Sequence, residues 1–145
     1  MKNKTLTLKI KNDKYKLAIC ITDDLVKMVK KIQIKINRKK PLETKKEIKT
    51  WNGVALYPSR CGKKIFVVVK RRKGKLPVST LTHEILHAVG KILRESDINY
   101  YENKETFACL DGELNAFVMS KLINLGEKLS YKSHEGIKIS KKSII

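Results

Sequence analysis

Apolar and polar residues alternate in two short segments near the start of the chain. In residues 4–10, Leu6, Leu8 and Ile10 face one way and threonine or lysine the other, and residues 15–21 repeat the pattern. A period of two is the period of a half-buried β-strand. With the polar residues 11–14 as the turn between them, the two segments predict a β-hairpin.

The next apolar residues recur at helical spacing. The segment 22–24, Thr-Asp-Asp, offers N-caps for a predicted helix. The apolar positions of this helix are Leu25, Val26, Met28, Val29 and Ile32. Residues 35–50 are polar and strongly basic, and they predict an exposed loop or a short polar helix. Two strands are predicted after them, at 54–57 and 64–70, and the second is apolar enough to be buried.

Two longer helical patterns occupy the second half of the chain. The first follows Pro77, has Ser79 or Thr80 as its predicted N-cap, and ends near residue 96. The second is predicted at 104–125, with Asn103 available as its cap. A glycine inside the second helix, Gly112, costs ~1 kcal/mol relative to alanine, so it indicates close packing against another helix.

These elements predict one α+β domain that spans residues 1–145. Its sheet is small and mostly antiparallel, is built from residues 4–21 and 54–70, and has the helices packed on one face. The two long helices are expected to lie side by side. Residues 126–145 are polar and rich in lysine and serine, so they predict a loose tail.

Charge is distributed unevenly along the chain. The sequence holds 33 Lys and Arg against 14 Asp and Glu, a net charge of +19. Residues 1–80 contain 24 of the basic and 5 of the acidic residues, so all of the excess lies there. A region this basic favours a nucleic acid, an acidic protein or an anionic surface as partner. Because lysine outnumbers arginine 28 to 5, an AT-rich coding sequence explains the charge equally well without any partner.

The sequence predicts no membrane span and no export signal. It lacks a run of ~20 apolar residues, and its basic first residues lead into an alternating segment rather than into the core of a signal peptide. Its three cysteines, Cys20, Cys61 and Cys109, are too few and too widely spaced for a disulfide framework or a Cys-x-x-Cys zinc site. These features predict a protein of the reducing cytoplasm, or one packaged into a particle from there.

The segment with the most distinctive chemistry is residues 81–89, which contain His-Glu-x-x-His inside the first long helix. Positions i and i+4 of a helix share one face, so His83 and His87 can point at one ion. Glu84 projects beside them, where it can hold a water molecule. Two imidazole ligands and a carboxylate base are the arrangement of a zinc hydrolase. The alternative is a buried helix with two hydrogen-bonded histidines that bind no metal.

A third zinc ligand must come from outside this helix, because a catalytic zinc takes three protein ligands and keeps one position open. The second long helix offers two candidates, Glu105 and Glu113, which lie near one face of it but about two turns apart. Glu102 and His134 are weaker candidates, since both lie in predicted loops. Spacing alone leaves this choice open.

The motif and the glutamate that follows His87 by 18 residues resemble the gluzincins, the Glu-ligated zinc peptidases of thermolysin type. Residues 81–89, together with Asn-Lys-Glu-Thr-Phe-Ala-Cys-Leu at 103–110, look more closely like small bacteriophage and prophage proteins described as metallopeptidases. Those proteins carry a His-Glu-x-x-His-Ala-Val helix and then an Asn-x-Glu-x-Phe-Ala-Tyr-Leu helix, and the match covers residues 64–125. The resemblance implies a minimal zincin-like domain with Glu105 as the third ligand, although Cys109 replaces the usual tyrosine.

A rival alignment would make Glu113 the third ligand. Residues 113–117, Glu-Leu-Asn-Ala-Phe, resemble the Glu-Ala-Asn-x-Phe-Ala helix of the peptidases that cleave phage-type repressors. More flanking residues agree with the first alignment, which therefore favours Glu105.

A zinc peptidase would use Glu84 to take a proton from water and pass it to the leaving amine. The motif itself contains no donor for the oxyanion, and the candidates elsewhere in the sequence are Tyr100, Tyr101, Tyr131 and His134. A competing hypothesis is a basic nucleic-acid-binding or virion-associated structural protein on the same scaffold, with zinc structural or absent. The intact Glu84 argues against it, because a structural zinc site needs no base.

Overall fold

The computed structural model describes residues 2–10, 14–37, 45–57 and 64–132, and this part of the chain forms two sheets and four helices. In chain order the elements are β1 (Lys4–Ile10), β2 (Tyr15–Thr22), α1 (Leu25–Asn37), α2 (Lys45–Ile48), β3 (Gly53–Leu56), β4 (Lys64–Lys70), β5 (Leu76–Pro77), α3 (Val78–Glu95), α4 (Lys104–Asn124) and β6 (Leu129–Ser130). The predicted hairpin strands, the helix after them, the next two strands and the two long helices are confirmed. The short polar helix is also present, as α2.

The main sheet is mixed, with the strand order β1-β2-β4-β3. β1 and β2 form the predicted antiparallel hairpin, and β3 is antiparallel to β4. The central pair, β2 and β4, is parallel, with Ile19 opposite Val67. Parallel neighbours need a long crossover connection, and here the chain passes through α1, α2 and β3 before it forms β4. The α+β class is confirmed. The sheet was predicted to be mostly antiparallel, but its central pair of strands is parallel. The alternation of apolar and polar residues carries no information about strand direction.

Helices cover both faces of this sheet, so the prediction that they pack on one face is wrong. α3 and α4 pack on the face that carries Leu17 and Ile65, whereas α1 and α2 pack on the face that carries Cys20 and Val68. Successive residues of a strand point to opposite faces. Both sides of β2 and β4 are apolar, and each side therefore has to be covered.

The starts of α1 and α3 are stabilised differently. Asp24 caps α1 as predicted, because the backbone N–H of Lys27 donates to its Oδ1 at 3.1 Å. α3 has Pro77 at its N-cap position and no side-chain cap, so the predicted caps Ser79 and Thr80 are wrong. β5 runs directly into α3, which places both residues inside the first helical turn.

α3 and α4 lie side by side, as predicted, and contribute to the same hydrophobic core. α4 begins directly after Asn103 and buries Leu114, Val118 and Leu122. A β-carbon at Gly112 would meet no atom within 4 Å, so this glycine does not mark a close helix contact. Within the described residues no helix is both long and apolar enough to cross a membrane.

Residues 126–132 belong to the segment predicted to be a loose tail, yet they anchor the end of α4. β6 pairs in parallel with β5, and the fully buried Glu127 carboxylate lies 2.6 Å from Arg71 Nη2. The hydrogen bond from Arg71 holds the pKa of Glu127 below its usual range. Removing one partner of a buried pair typically costs about 3–5 kcal/mol, which makes this segment part of the fold. Residues 133–145 lie outside the described part of the chain.

Candidate metal centre

The apolar face of α3 packs on the sheet and thereby determines where His83, Glu84 and His87 lie. Its fully buried positions recur at helical spacing and face the sheet: Leu81, Ile85, Ala88, Val89 and Ile92. His83 and His87 lie on an exposed flank of the same helix. Glu84, next to Ile85, is turned toward β3 and is only 8% exposed. The packing of α3 on the sheet therefore separates a buried carboxylate from two exposed imidazoles.

The two imidazoles converge on one point. Nε2 of His83 lies 3.1 Å from Nε2 of His87, and the rings meet edge to face with an interplanar angle of 74°. Two lone pairs at this distance repel each other, so a proton or a cation has to lie between or beside the nitrogens. Two nitrogens bound to one tetrahedral zinc at 2.0–2.1 Å are about 3.3 Å apart. The spacing of this pair fits a zinc ion with little rearrangement.

Glu84 is in direct contact with the backbone of β3. The backbone N–H of Ala55 donates a hydrogen bond to its carboxylate. Burial raises the pKa of Glu84, while the two histidines and the Ala55 hydrogen bond oppose that rise. A carboxylate with a raised pKa accepts a proton more readily at neutral pH, so its environment suits the role of a general base.

Gly53, at the start of β3, allows the strand to approach α3 this closely. A β-carbon at Gly53 would lie 2.8 Å from Thr80 Cγ2, 3.0 Å from the Val68 carbonyl oxygen and 3.3 Å from Glu84 Cγ. The first of these distances is shorter than carbon atoms tolerate, so any side chain here would displace α3 or β3. The sequence gives no sign of this role for Gly53, because nothing in the pattern around Trp51 indicates which helix the strand meets.

Two grooves open beside the motif, between α3 and β3. The first, the Thr80 groove, has a volume of about 290 Å³ and is lined by Thr50, Trp51, Asn52, Gly53, Ser79, Thr80, His83 and Glu84. The second, the Tyr57 groove, has a volume of about 280 Å³ and is lined by Trp51, Gly53, Val54, Ala55, Tyr57, Glu84 and His87. Glu84 lines both grooves and lies between them.

Tyr57 is a second residue that the sequence analysis missed. It directly follows β3, its ring packs against the hydrophobic core, and the Lys91 Nζ lies 5.4 Å from the ring centroid. Burial raises the pKa of its phenol, the charge of Arg94 lowers it, and the charge of Glu84 raises it. The sequence does contain a signal for the position of Tyr57. If the alternation of β3 continues, Tyr57 lies on the same face of the sheet as Ala55.

The candidate third ligands lie apart from each other. Glu105 is exposed in the first turn of α4, two residues before Phe107, which shares a groove with His87. Glu113 lines a different groove, between α4 and β1, with Lys9 and other residues. Glu102 is exposed before α4, and His134 lies outside the described residues. Among the described residues, no three His, Cys, Asp or Glu side chains are grouped closely enough to hold a metal ion.

The tyrosines predicted as oxyanion donors are not grouped with Glu84. Tyr100 lines the groove that contains His87 and Phe107, and its ring packs edge to face on Phe107 with centroids 4.9 Å apart. Tyr101 and Tyr131 are 82% and 75% exposed. Sequence position alone gave no means of ranking these residues.

Part of the basic charge lies on the opposite face of the sheet from the histidines. Lys31, Lys35 and Lys64 line a cavity of about 260 Å³ under α1, together with the free and buried Cys20. The histidine pair and this basic cavity are therefore separate features of the molecule.

No protein-family model, curated protein or solved structure matches this chain. Any inference about the class of protein therefore rests on the chemistry of the site. That chemistry consists of two converging imidazoles, a buried carboxylate beside them and grooves along an edge strand.

Proposed function

We propose that this protein is a zinc-dependent metallopeptidase of gluzincin type, related to the small phage-encoded proteins that its motif resembles. The observation that carries the proposal is the 3.1 Å separation of the His83 and His87 Nε2 atoms, with the Glu84 carboxylate on the next residue of the same helix. Two imidazoles alone suit a structural or a catalytic ion equally. A buried carboxylate beside them favours catalysis, because a structural site has no use for a base.

His83, His87 and a third ligand would hold a zinc ion, which would lower the pKa of a water molecule to about 7 and would polarise a carbonyl group. Glu84 accepts one proton from the attacking water. The water oxygen forms a bond to the carbonyl carbon, the carbon–nitrogen bond breaks, and Glu84 passes its proton to the departing amine. The hydrogen bond from Ala55 keeps the carboxylate in place during both transfers.

A peptide is the substrate class that the surroundings of Glu84 favour. β3 is an edge strand of the four-stranded sheet, and it forms one wall of both grooves. An extended peptide can add to the free edge of a sheet through main-chain hydrogen bonds, with its side chains in flanking pockets. Such a peptide would run past Glu84, with one groove on each side of the carboxylate.

The test of this function uses the purified full chain. We expect one zinc per chain by elemental analysis, and cleavage of an internally quenched peptide library with randomised central positions. A chelator should stop cleavage, and added zinc should restore it. A protein that is free of zinc after refolding in zinc-containing buffer, or cleavage that persists in the chelator, would contradict the proposal.

For the third ligand, Glu105→Ala should weaken zinc binding far more than Glu113→Ala. Loss of a residue that merely supports a ligand already costs about 10–100-fold in metal affinity, so loss of a ligand should exceed that range. Glu105 is exposed and its side chain is free to change rotamer, and its helical turn lies beside the His87 groove. Glu113 lies in the groove against β1 and serves as the matched control. The opposite result, with zinc lost only in Glu113→Ala, would support the repressor-cleaving alignment instead.

A further inference from the structure

Hydrolysis of a peptide bond places negative charge on the carbonyl oxygen in the transition state. A hydrogen-bond donor fixed at that position typically accelerates the reaction by 10²–10³-fold. His83, Glu84 and His87 do not include a free donor, because two are ligand candidates and the third is the base. A donor that acts beside the zinc would come from another element that borders the same grooves.

We propose that the Tyr57 hydroxyl is this donor and stabilises the oxyanion of the bound substrate. The assignment rests on the proposed peptidase function and adds a catalytic residue to it. Tyr57 lines one groove together with both Glu84 and His87. A substrate carbonyl that is attacked by the water held at Glu84 would therefore lie between these residues.

Tyr57 is not part of β3, but its backbone and its ring both lie next to packed elements of the fold. It follows β3 directly, and β3 is hydrogen-bonded to β4 with Leu56 opposite Phe66. The ring packs against the hydrophobic core, and Lys91 Nζ lies 5.4 Å from its centroid. A donor held in this way needs little reorganisation when charge develops on the substrate.

The other four tyrosines of the chain are less suitable. Tyr15 is buried, and its hydroxyl lies 3.3 Å from Ser96 Oγ, on another part of α3. Tyr101 and Tyr131 are mostly exposed. Tyr100 borders a groove with His87, but Glu84 does not line that groove. Tyr57 is the tyrosine that shares a groove with both the base and a ligand candidate.

The role requires no proton transfer from Tyr57. Its O–H bond stays intact, and the phenol donates one hydrogen bond that strengthens as the carbonyl oxygen becomes negative. An ordinary tyrosine has a pKa of about 10, so the phenol carries its proton at neutral pH. The proton balance of the reaction stays with water, Glu84 and the leaving amine.

The test is the Tyr57→Phe variant, which keeps the ring and removes only the hydroxyl. We expect kcat on the library peptide that is cleaved best to fall by about 10²–10³-fold, with KM and zinc content close to those of the wild type. A second measurement is independent of turnover. The phosphinic analogue of the same peptide carries a negative oxygen in place of the oxyanion, and calorimetry should show a comparable loss of its affinity for the variant.

Tyr15→Phe is the matched control, because it also removes one phenolic hydroxyl but lies away from the grooves, and its kcat should equal that of the wild type. Wild-type kcat and wild-type phosphinate affinity in Tyr57→Phe would overturn the role of Tyr57 and leave the peptidase function standing. A lower kcat with unchanged phosphinate affinity would also overturn it, because it would indicate an indirect effect. A wild-type chain that has neither zinc nor peptidase activity would overturn both proposals.

Discussion

Replacing Glu84 with glutamine should reduce peptide cleavage by about 10²–10⁴-fold, the usual contribution of a general base, while zinc content and stability stay unchanged. The amide oxygen of glutamine can still accept the hydrogen bond from the Ala55 N–H, so the contact between α3 and β3 survives. The amide cannot accept a proton from water at neutral pH. The measurement is kcat on a cleaved library peptide, with elemental analysis and a thermal melt of the same sample.

Glu95→Gln is the matched control for this substitution. Glu95 is on the same helix and pairs with Lys91 on the partly exposed surface, where an ion pair of this kind contributes little to stability. Its cleavage rate should equal that of the wild type. Undiminished turnover by Glu84→Gln would rule out Glu84 as the base, even if zinc is present.

The sequence predicted the local parts of this fold well because periodicity is a local property. The hairpin strands, α1, α3 and α4 all follow from apolar spacing. The cover on the second face of the sheet was missed, since the prediction placed all helices on one face and did not consider what lies over Ala18 and Cys20. They are in fact buried under α1. The direction of β2 relative to β4 depends on a crossover of more than forty residues, which no local pattern encodes.

The candidate site shows the same difference between local features, which the sequence predicts, and features that depend on packing, which it does not. The four-residue spacing of His83 and His87 was enough to predict that their rings converge. Gly53 and Tyr57 come from a strand about thirty residues earlier, and their proximity to Glu84 arises only when β3 packs beside α3. Gly112 was predicted to mark a close helix contact because a glycine inside a helix is unusual. Gly53, in a strand of ordinary composition, has the close contacts that Gly112 lacks.

Substituting either histidine with alanine should remove stoichiometric zinc from the protein. The Nε2 atoms of His83 and His87 converge to 3.1 Å, so each variant keeps only one imidazole at that point. The loss of affinity should exceed the 10–100-fold that is typical of residues that only support a ligand. Both histidines are exposed, and alanine is the best helix former, so we expect α3 to stay folded in each variant. Elemental analysis and zinc titration of both variants measure the effect.

A thermal melt provides a second readout that does not depend on catalysis. A ligand that binds only the folded state stabilises it by about 2.7 kcal/mol at a hundredfold excess over Kd. Zinc should therefore raise the melting temperature of the wild type but not of His83→Ala or His87→Ala. Leu86→Ala, an exposed position between the two histidines, controls for the loss of side-chain bulk and should keep the zinc-dependent shift. Full zinc occupancy in either histidine variant would mean that the zinc does not depend on this pair of imidazoles, and the peptidase proposal would fall with it.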